Sequence, residues 1–390
     1  MLKGPLVRHV SQIVFACFVL LGCIHAVLNV FTAVRPKAAA QADFIQFWAT
    51  GHLLAARQSP YDLDKLMKIE QDAGMVHAYP RLSNSPPLLL PLFLPLGFVS
   101  AGLGFFVWFA AQLACLYCSA QLLNAMYGKQ LGYLRWIVFL FGPVLLCERT
   151  GQLGVFFLMC LVLFLYLHRR HPFLAGVCLA PLALKPHLIL PFGLVLLMWI
   201  ILDRRWKILL GAVTVLACSA GLLFTLDPGA WQQYSALMRK MHLMDWAAPC
   251  LSVYLRRLTG APAVVQFIPT MMAAGAAAVW YLRKRKEWEW QTDGAMLLAL
   301  GLITAPYAWV MDEAIALPAI LLAVTRCRSS WNWLACLALL NLVFMIEEMR
   351  GVGVLTPAYL WTAPAWFLWC FLASRTPSEI PDANLVLAAE

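Results

Sequence analysis

Apolar runs long enough to cross a bilayer recur along this chain from end to end, and no other feature narrows its fold as far. A run of about 18 or more uncharged apolar residues reads as a membrane helix. The stretches from Val10 to Val34, Ala101 to Met126, Ile208 to Leu226 and Val264 to Leu282 all have that character. A transmembrane barrel would instead alternate apolar and polar residues, and that period-two pattern is absent. Only 12% of the 390 residues are charged, against about 25% in a soluble domain. The expected fold is all-α: a polytopic transmembrane bundle of about 10 to 12 spans. It forms one integral membrane domain over residues 1–375, with a polar cytoplasmic tail over residues 376–390.

Charge sets the orientation. The net charge is +10, but the basic residues do not build the basic and aromatic surface that nucleic acid needs. They cluster between apolar runs, as His168-Arg169-Arg170-His171, Arg204-Arg205-Trp206-Lys207, Arg283-Lys284-Arg285-Lys286, and Arg326 with Arg328. That is the positive-inside pattern, and it assigns those loops to the cytoplasm. Lys3 and Arg8 precede the first run, which at about 25 residues exceeds the 7–15 residues of a signal-peptide core. The reading is an uncleaved first helix with its N-terminus inside. Residues 35–85 then form a first extracytoplasmic loop and residues 227–262 a second. The expected location is a bacterial inner membrane, crossed many times.

Polar residues beside spans are the informative ones, because hydrocarbon penalises them. Asp43, Tyr61-Asp62, Glu148-Arg149 with Gln152, Lys185 with His187, and Tyr307-Trp309 with Asp312-Glu313 stand out. Asp43, Asp62 and Asp312 share the outer face by this topology. Lys185-Pro186-His187 lies where two short apolar pieces meet, which suggests a broken helix. A carboxylate facing a cation there suits transfer from a lipid-linked phosphate. The carboxylate takes a proton from an acceptor hydroxyl, and the cation offsets charge growing on the leaving phosphate. Plainer readings exist for each group. Asp43 also fits an N-cap for an interfacial helix over Phe44 to Ala56. Lys185 fits a side chain snorkelling to headgroups, Glu148 with Arg149 a local pair, Gln152 a helix-packing hydrogen bond, and Asp312-Glu313 plain loop charge. Most of the twelve cysteines lie in apolar runs, and Cys115-x-x-Cys118 has no second pair. No metal or cofactor is indicated.

Asp43-Phe44 with Phe47-Trp48, Gly51, Pro60-Tyr61-Asp62 and Ser85-Pro86-Pro87 resembles the opening of glycosyltransferase family 87, membrane enzymes of the C-type glycosyltransferase fold. Gly151-Gln152-Leu153-Gly154 resembles that family's Gly-Gln-Asn-Gly segment, with Leu153 in place of asparagine. Leu184-Lys185-Pro186 and Ala305-Pro306-Tyr307-Ala308-Trp309 with Asp312 follow in similar order. The resemblance implies a polyprenyl-phosphate hexose donor, mannose among the sugars, a lipid or glycan acceptor, and inversion at the anomeric carbon. It makes Asp43 the general base, with Lys185 and Arg149 on the donor phosphate. Tyr61, Asp62, Gln152, His187, Tyr307, Trp309 and Asp312 would line the substrate pocket. Two other functions compete: a lipid-linked sugar flippase or solute transporter without chemistry, and a structural subunit of an envelope assembly.

Overall fold

A computed structural model describes residues 4–35, 37–82, 84–241, 248–354 and 356–375. The tail expected at 376–390 lies outside the described residues. Helix α1 (Pro5–Ala33) is followed by α2 (Phe44–Ala55) and α3 (Leu63–Asp72) in the first polar interval. A 3₁₀ helix over Pro87–Phe98 leads into α4 (Ala101–Met126). Next come α5 (Gly142–Thr150), α6 (Gly154–Leu167), α7 (Pro172–Leu179) and α8 (Leu190–Leu202). Then follow α9 (Trp206–Leu226), α10 (Ala230–Lys240), α11 (Leu251–Thr259) and α12 (Ile268–Lys284). The last four are α13 (Ala295–Thr304), α14 (Leu317–Cys327), α15 (Trp331–Met349) and α16 (Thr362–Ala373). No strand occurs among the described residues.

Five helical stretches among the described residues are long and apolar enough to cross a bilayer: Pro5–Ala33, Ala101–Met126, Trp206–Leu226, Ala263–Glu287 and Trp331–Met349. At most 39% of the apolar window in any of them is buried inside the protein. Surface of that kind is stable against lipid and unfavourable against water. The protein is an all-α polytopic membrane protein, as its hydropathy requires.

Two hydrogen bonds fix how α1 and α15 run. Ser11 Oγ donates to Asn332 Oδ1 at 3.1 Å, and His25 Nε2 lies 3.0 Å from Glu348 Oε2. Low numbers meet low and high meet high, so the two helices are parallel. The basic loops gather at one end of the bundle. There Arg169 Nη2 pairs with Glu289 at 2.6 Å, and Arg285 Nη2 with Asp203 at 2.5 Å. Helix α6 runs from Gln152 toward Arg169, and α14 from Asp312 toward Arg326. Gln152 and Asp312 therefore lie at the other end.

The break at Lys185 follows from proline chemistry. Pro181 and Pro186 open two short 3₁₀ segments, Ala180–Leu184 and Pro186–Ile189, and Lys185 between them leaves the helical region at φ −138° and ψ 62°. A proline lacks the N–H that would continue the ladder. The α7 and α8 arms thus meet at an apex carrying Lys185.

Glycines let elements touch backbone to backbone, as small residues do in membranes. Gly176 lies against the Ile208 carbonyl and Gly211 against the Phe173 carbonyl, which joins α7 to α9. Gly51 lies against the Phe93 carbonyl and Gly97 against that of Gly51. The 3₁₀ helix is thereby pressed along α2, while Phe105 and Phe109 of α4 share the core around α2. The helix expected after Asp43 forms over Phe44–Ala55, and its apolar side chains pack inside the protein. Phe44, Ile45, Ala49, Leu53 and Leu54 are all 0% exposed, because the two neighbours cover both faces.

A methyl group at Gly51 would collide with fixed backbone. Gly51→Ala should therefore destabilise by about 1–3 kcal/mol, the usual range for overpacking. Gly193→Ala, which meets open space, should be neutral or slightly stabilising. Thermal melting of both variants in detergent checks the contrast.

Candidate active site

Asp43 stands at the N-cap position of α2 but does not cap it. Its backbone is already helical (φ −63°, ψ −17°), and its side chain makes no bond to the first turn. The cap reading is corrected on that geometry. The carboxylate turns away: Oδ1 accepts from Arg81 Nη1 at 2.5 Å and Oδ2 from Gln152 Nε2 at 2.9 Å. The Asp43 side chain is 29% exposed and that of Arg81 25%, so the pair is open to an incoming molecule.

Gln152 is placed by a turn that the chain can make only with glycine. Gly151 ends α5 in the left-handed region at φ +69°, where other residues are strained. A Cβ there would also strike Phe44, the neighbour of Asp43. Trp108 Nε1 donates to the Gly151 carbonyl at 3.0 Å, and Gln112 Nε2 to the Gln152 carbonyl at 2.8 Å. At the far side of the turn, Gly154 packs on the Met311 carbonyl, leaving no room for a side chain. Met311 precedes Asp312. The four-residue turn therefore joins the Asp43 site to the Asp312 site. Leu153, the departure from the family segment, is buried in the core at 4% exposed.

Lys185 Nζ pairs with Asp312 Oδ1 at 2.7 Å, with the lysine side chain 17% exposed and the aspartate 0%. Asp312 Oδ2 also accepts from the Trp309 N–H at 3.0 Å. These contacts set aside both plainer readings: Lys185 turns inward to a partner, and Asp312 is buried. Removing one member of such a buried pair leaves an uncompensated charge, at a cost of about 3–5 kcal/mol. The His187 ring lies 5.4 Å from that of Tyr307, whose hydroxyl accepts from Trp309 Nε1. Burial raises the Tyr307 phenol well above its ordinary range. The charge of Asp312 adds to that, and Asp43 adds less. Tyr307 thus feels both carboxylates. Asp43, Gln152, Lys185, His187, Tyr307, Trp309 and Asp312 form one neighbourhood.

The remaining sequence candidates have other partners. Asp62 caps α3 by accepting from the Lys65 N–H at 3.3 Å, and the Tyr61 hydroxyl donates to the Ser85 carbonyl at 2.9 Å. Arg149 pairs with Glu348, which also bonds His25. Glu313 accepts from Thr362 Oγ1 at 2.6 Å and Trp366 Nε1 at 2.8 Å. No group of three metal-ligating side chains occurs among the described residues. A cavity of about 480 Å³ lies at the basic end, lined by Lys284, Arg326 and Arg375 among others, and is separate from this site.

Arg81 and Glu70 carry weight that the sequence did not signal. The Arg81 N–H donates to Glu70 Oε2 at 2.8 Å, and Glu70 is 0% exposed. Burial pushes the Glu70 carboxyl up to about 7, with the Arg81 hydrogen bond and charge pulling the other way. In the unfolded chain it returns to its ordinary value of 4.5. Below that value both states are protonated and nothing is lost. As pH rises from there through about 7, the folded state loses stability relative to the unfolded one. Glu70→Gln should flatten that slope, as melting temperatures between about pH 5 and about pH 8 would show.

The profile of glycosyltransferase family 87 matches residues 85–305, more than half of the chain. No curated protein and no solved structure matches it. The matched stretch holds Gln152 and Lys185, while Asp43, Arg81, Tyr307 and Asp312 lie outside and are joined to it by the contacts above. The chain belongs to glycosyltransferase family 87 and is a membrane glycosyltransferase.

Proposed function

We propose that this enzyme moves a mannose-like hexose from a polyprenyl-phosphate donor to a lipid or glycan acceptor, with inversion, at the extracytoplasmic face of a bacterial inner membrane. One observation carries the reading. Asp43 forgoes its helix cap and, 29% exposed, gives one oxygen to Arg81 and the other to Gln152, whose Gly151–Gly154 turn links it to Lys185 and Asp312. In the reaction the acceptor oxygen attacks the anomeric carbon and its proton passes to Asp43. The bond from that carbon to the phosphate oxygen breaks, and the polyprenyl phosphate departs with both electrons. Lys185 offsets the charge that grows on it. Tyr307, Trp309, His187 and Gln152 border the sugar. The outer-face assignment rests on the basic loops at the opposite end of the bundle.

The broken helix at Lys185 also suits a lipid-linked sugar carrier, since such breaks line transport sites. The two separate on product. Purified protein incubated with polyprenyl-phosphate hexose and membrane lipid should yield a new glycosylated species by mass spectrometry. A carrier yields none.

Asp43→Asn should fold and lower transfer by about 10²–10⁴-fold, the scale of general-base catalysis. Near-normal turnover would remove Asp43 from that role. Lys185→Ala should raise the donor KM, and an unchanged value would place the phosphate elsewhere.

A further inference from the structure

We infer that Arg81 is a second ligand of the donor phosphate, parked on Asp43 until donor arrives, and that its transfer from carboxylate to phosphate frees Asp43 to act as base. The inference rests on the donor reading above and adds to it a residue and an order of events.

The charges of the site cancel as the protein stands. Arg81 is matched by Asp43 and Lys185 by Asp312. A phosphate must therefore draw on a cation that already has a partner. The two pairs differ in how readily they open. Asp312 is wholly buried and loses its compensation if Lys185 leaves, whereas Asp43 is 29% exposed and can be rehydrated. The releasable cation is Arg81.

Its geometry suits the exchange. Guanidinium carries five N–H donors in a planar fork that matches phosphate oxygens. Two of its nitrogens face protein groups here: Nη1 donates to Asp43, and Nη2 lies 3.4 Å from His77 Nε2. The Arg81 backbone is held by buried Glu70, so the guanidinium can swing by side-chain rotation while its pivot stays. Asp43 keeps its aim when Arg81 leaves, because Gln152 still donates to Oδ2. The vacated Oδ1 becomes the place for the acceptor hydroxyl. Without donor, the base remains blocked by its own cation, which suppresses unproductive proton transfer.

The test is binding of polyprenyl phosphate, the leaving group itself, to the purified full chain in nanodiscs, with melting temperatures to confirm folding. Because Asp43 competes with phosphate for Arg81, Asp43→Asn should bind about tenfold tighter than the wild type. Arg81→Gln should bind about tenfold weaker, the size of one charge-assisted hydrogen bond. Asp43→Asn combined with Arg81→Gln should bind no tighter than Arg81→Gln alone, and Arg81→Lys should recover part of the loss. Unchanged or weaker binding by folded Asp43→Asn overturns the inference, as does unchanged binding by Arg81→Gln. Absence of binding by the wild type overturns the donor reading itself.

Discussion

The hydrogen bond between Gln152 and Asp43 holds together two parts of the chain that have no covalent reason to meet. One is the loop after α1; the other is the turn between α5 and α6. For the bond to form, α2 must be immobilised, and burial between the 3₁₀ helix and α4 does that. The turn must also pass within contact of Phe44, which excludes any side chain at position 151. Trp108 and Gln112 then fix the turn through its carbonyls. The fold around the site is thus a device for placing one amide and one carboxylate.

Electrostatics divides the site into a fixed half and an adjustable half. The Lys185–Asp312 pair is the more buried, with the aspartate 0% exposed, and the backbone of Trp309 takes up the second carboxylate oxygen. Its geometry is therefore rigid. The Arg81–Asp43 pair is nearer water and leaves donors of the guanidinium unused. A glycosyl transfer needs both behaviours. In the proposed reaction the fixed cation orients the donor, and the adjustable carboxylate changes its proton affinity.

Features with a local physical cause were legible in the sequence. Long spans follow from hydropathy, the basic end from charge clusters, and the Lys185 apex from Pro186 between two short apolar pieces. Asp43 and Asp312 were visible as carboxylates beside hydrocarbon. Features set by distant partners were not. An aspartate before an apolar helix looks like a cap, and only the Arg81 and Gln152 contacts show that its side chain faces away. Arg81 lies in an irregular loop, with no periodicity or motif to single it out. The pairing of Arg149 could not be read either, because its partner, Glu348, belongs to a helix near the other end of the chain. The burial of α2 was hidden for the same reason, since its cover arrives forty residues later as a proline-rich 3₁₀ helix.

The family match begins at residue 85 and ends at residue 305, yet the carboxylates lie at 43 and 312. That mismatch has a structural explanation. The matched stretch supplies the Gly151–Gly154 turn and the Lys185 apex, which are constrained at the backbone: a positive φ at Gly151 against Phe44, a carbonyl contact at Gly154 without room for a methyl group, and a proline break. Such positions tolerate few residues. The flanking carboxylates are tied to that stretch by side chains, Gln152 for Asp43 and Lys185 for Asp312. The recognisable segment is the frame, and the two carboxylates attach to it through side-chain contacts, one on each flank.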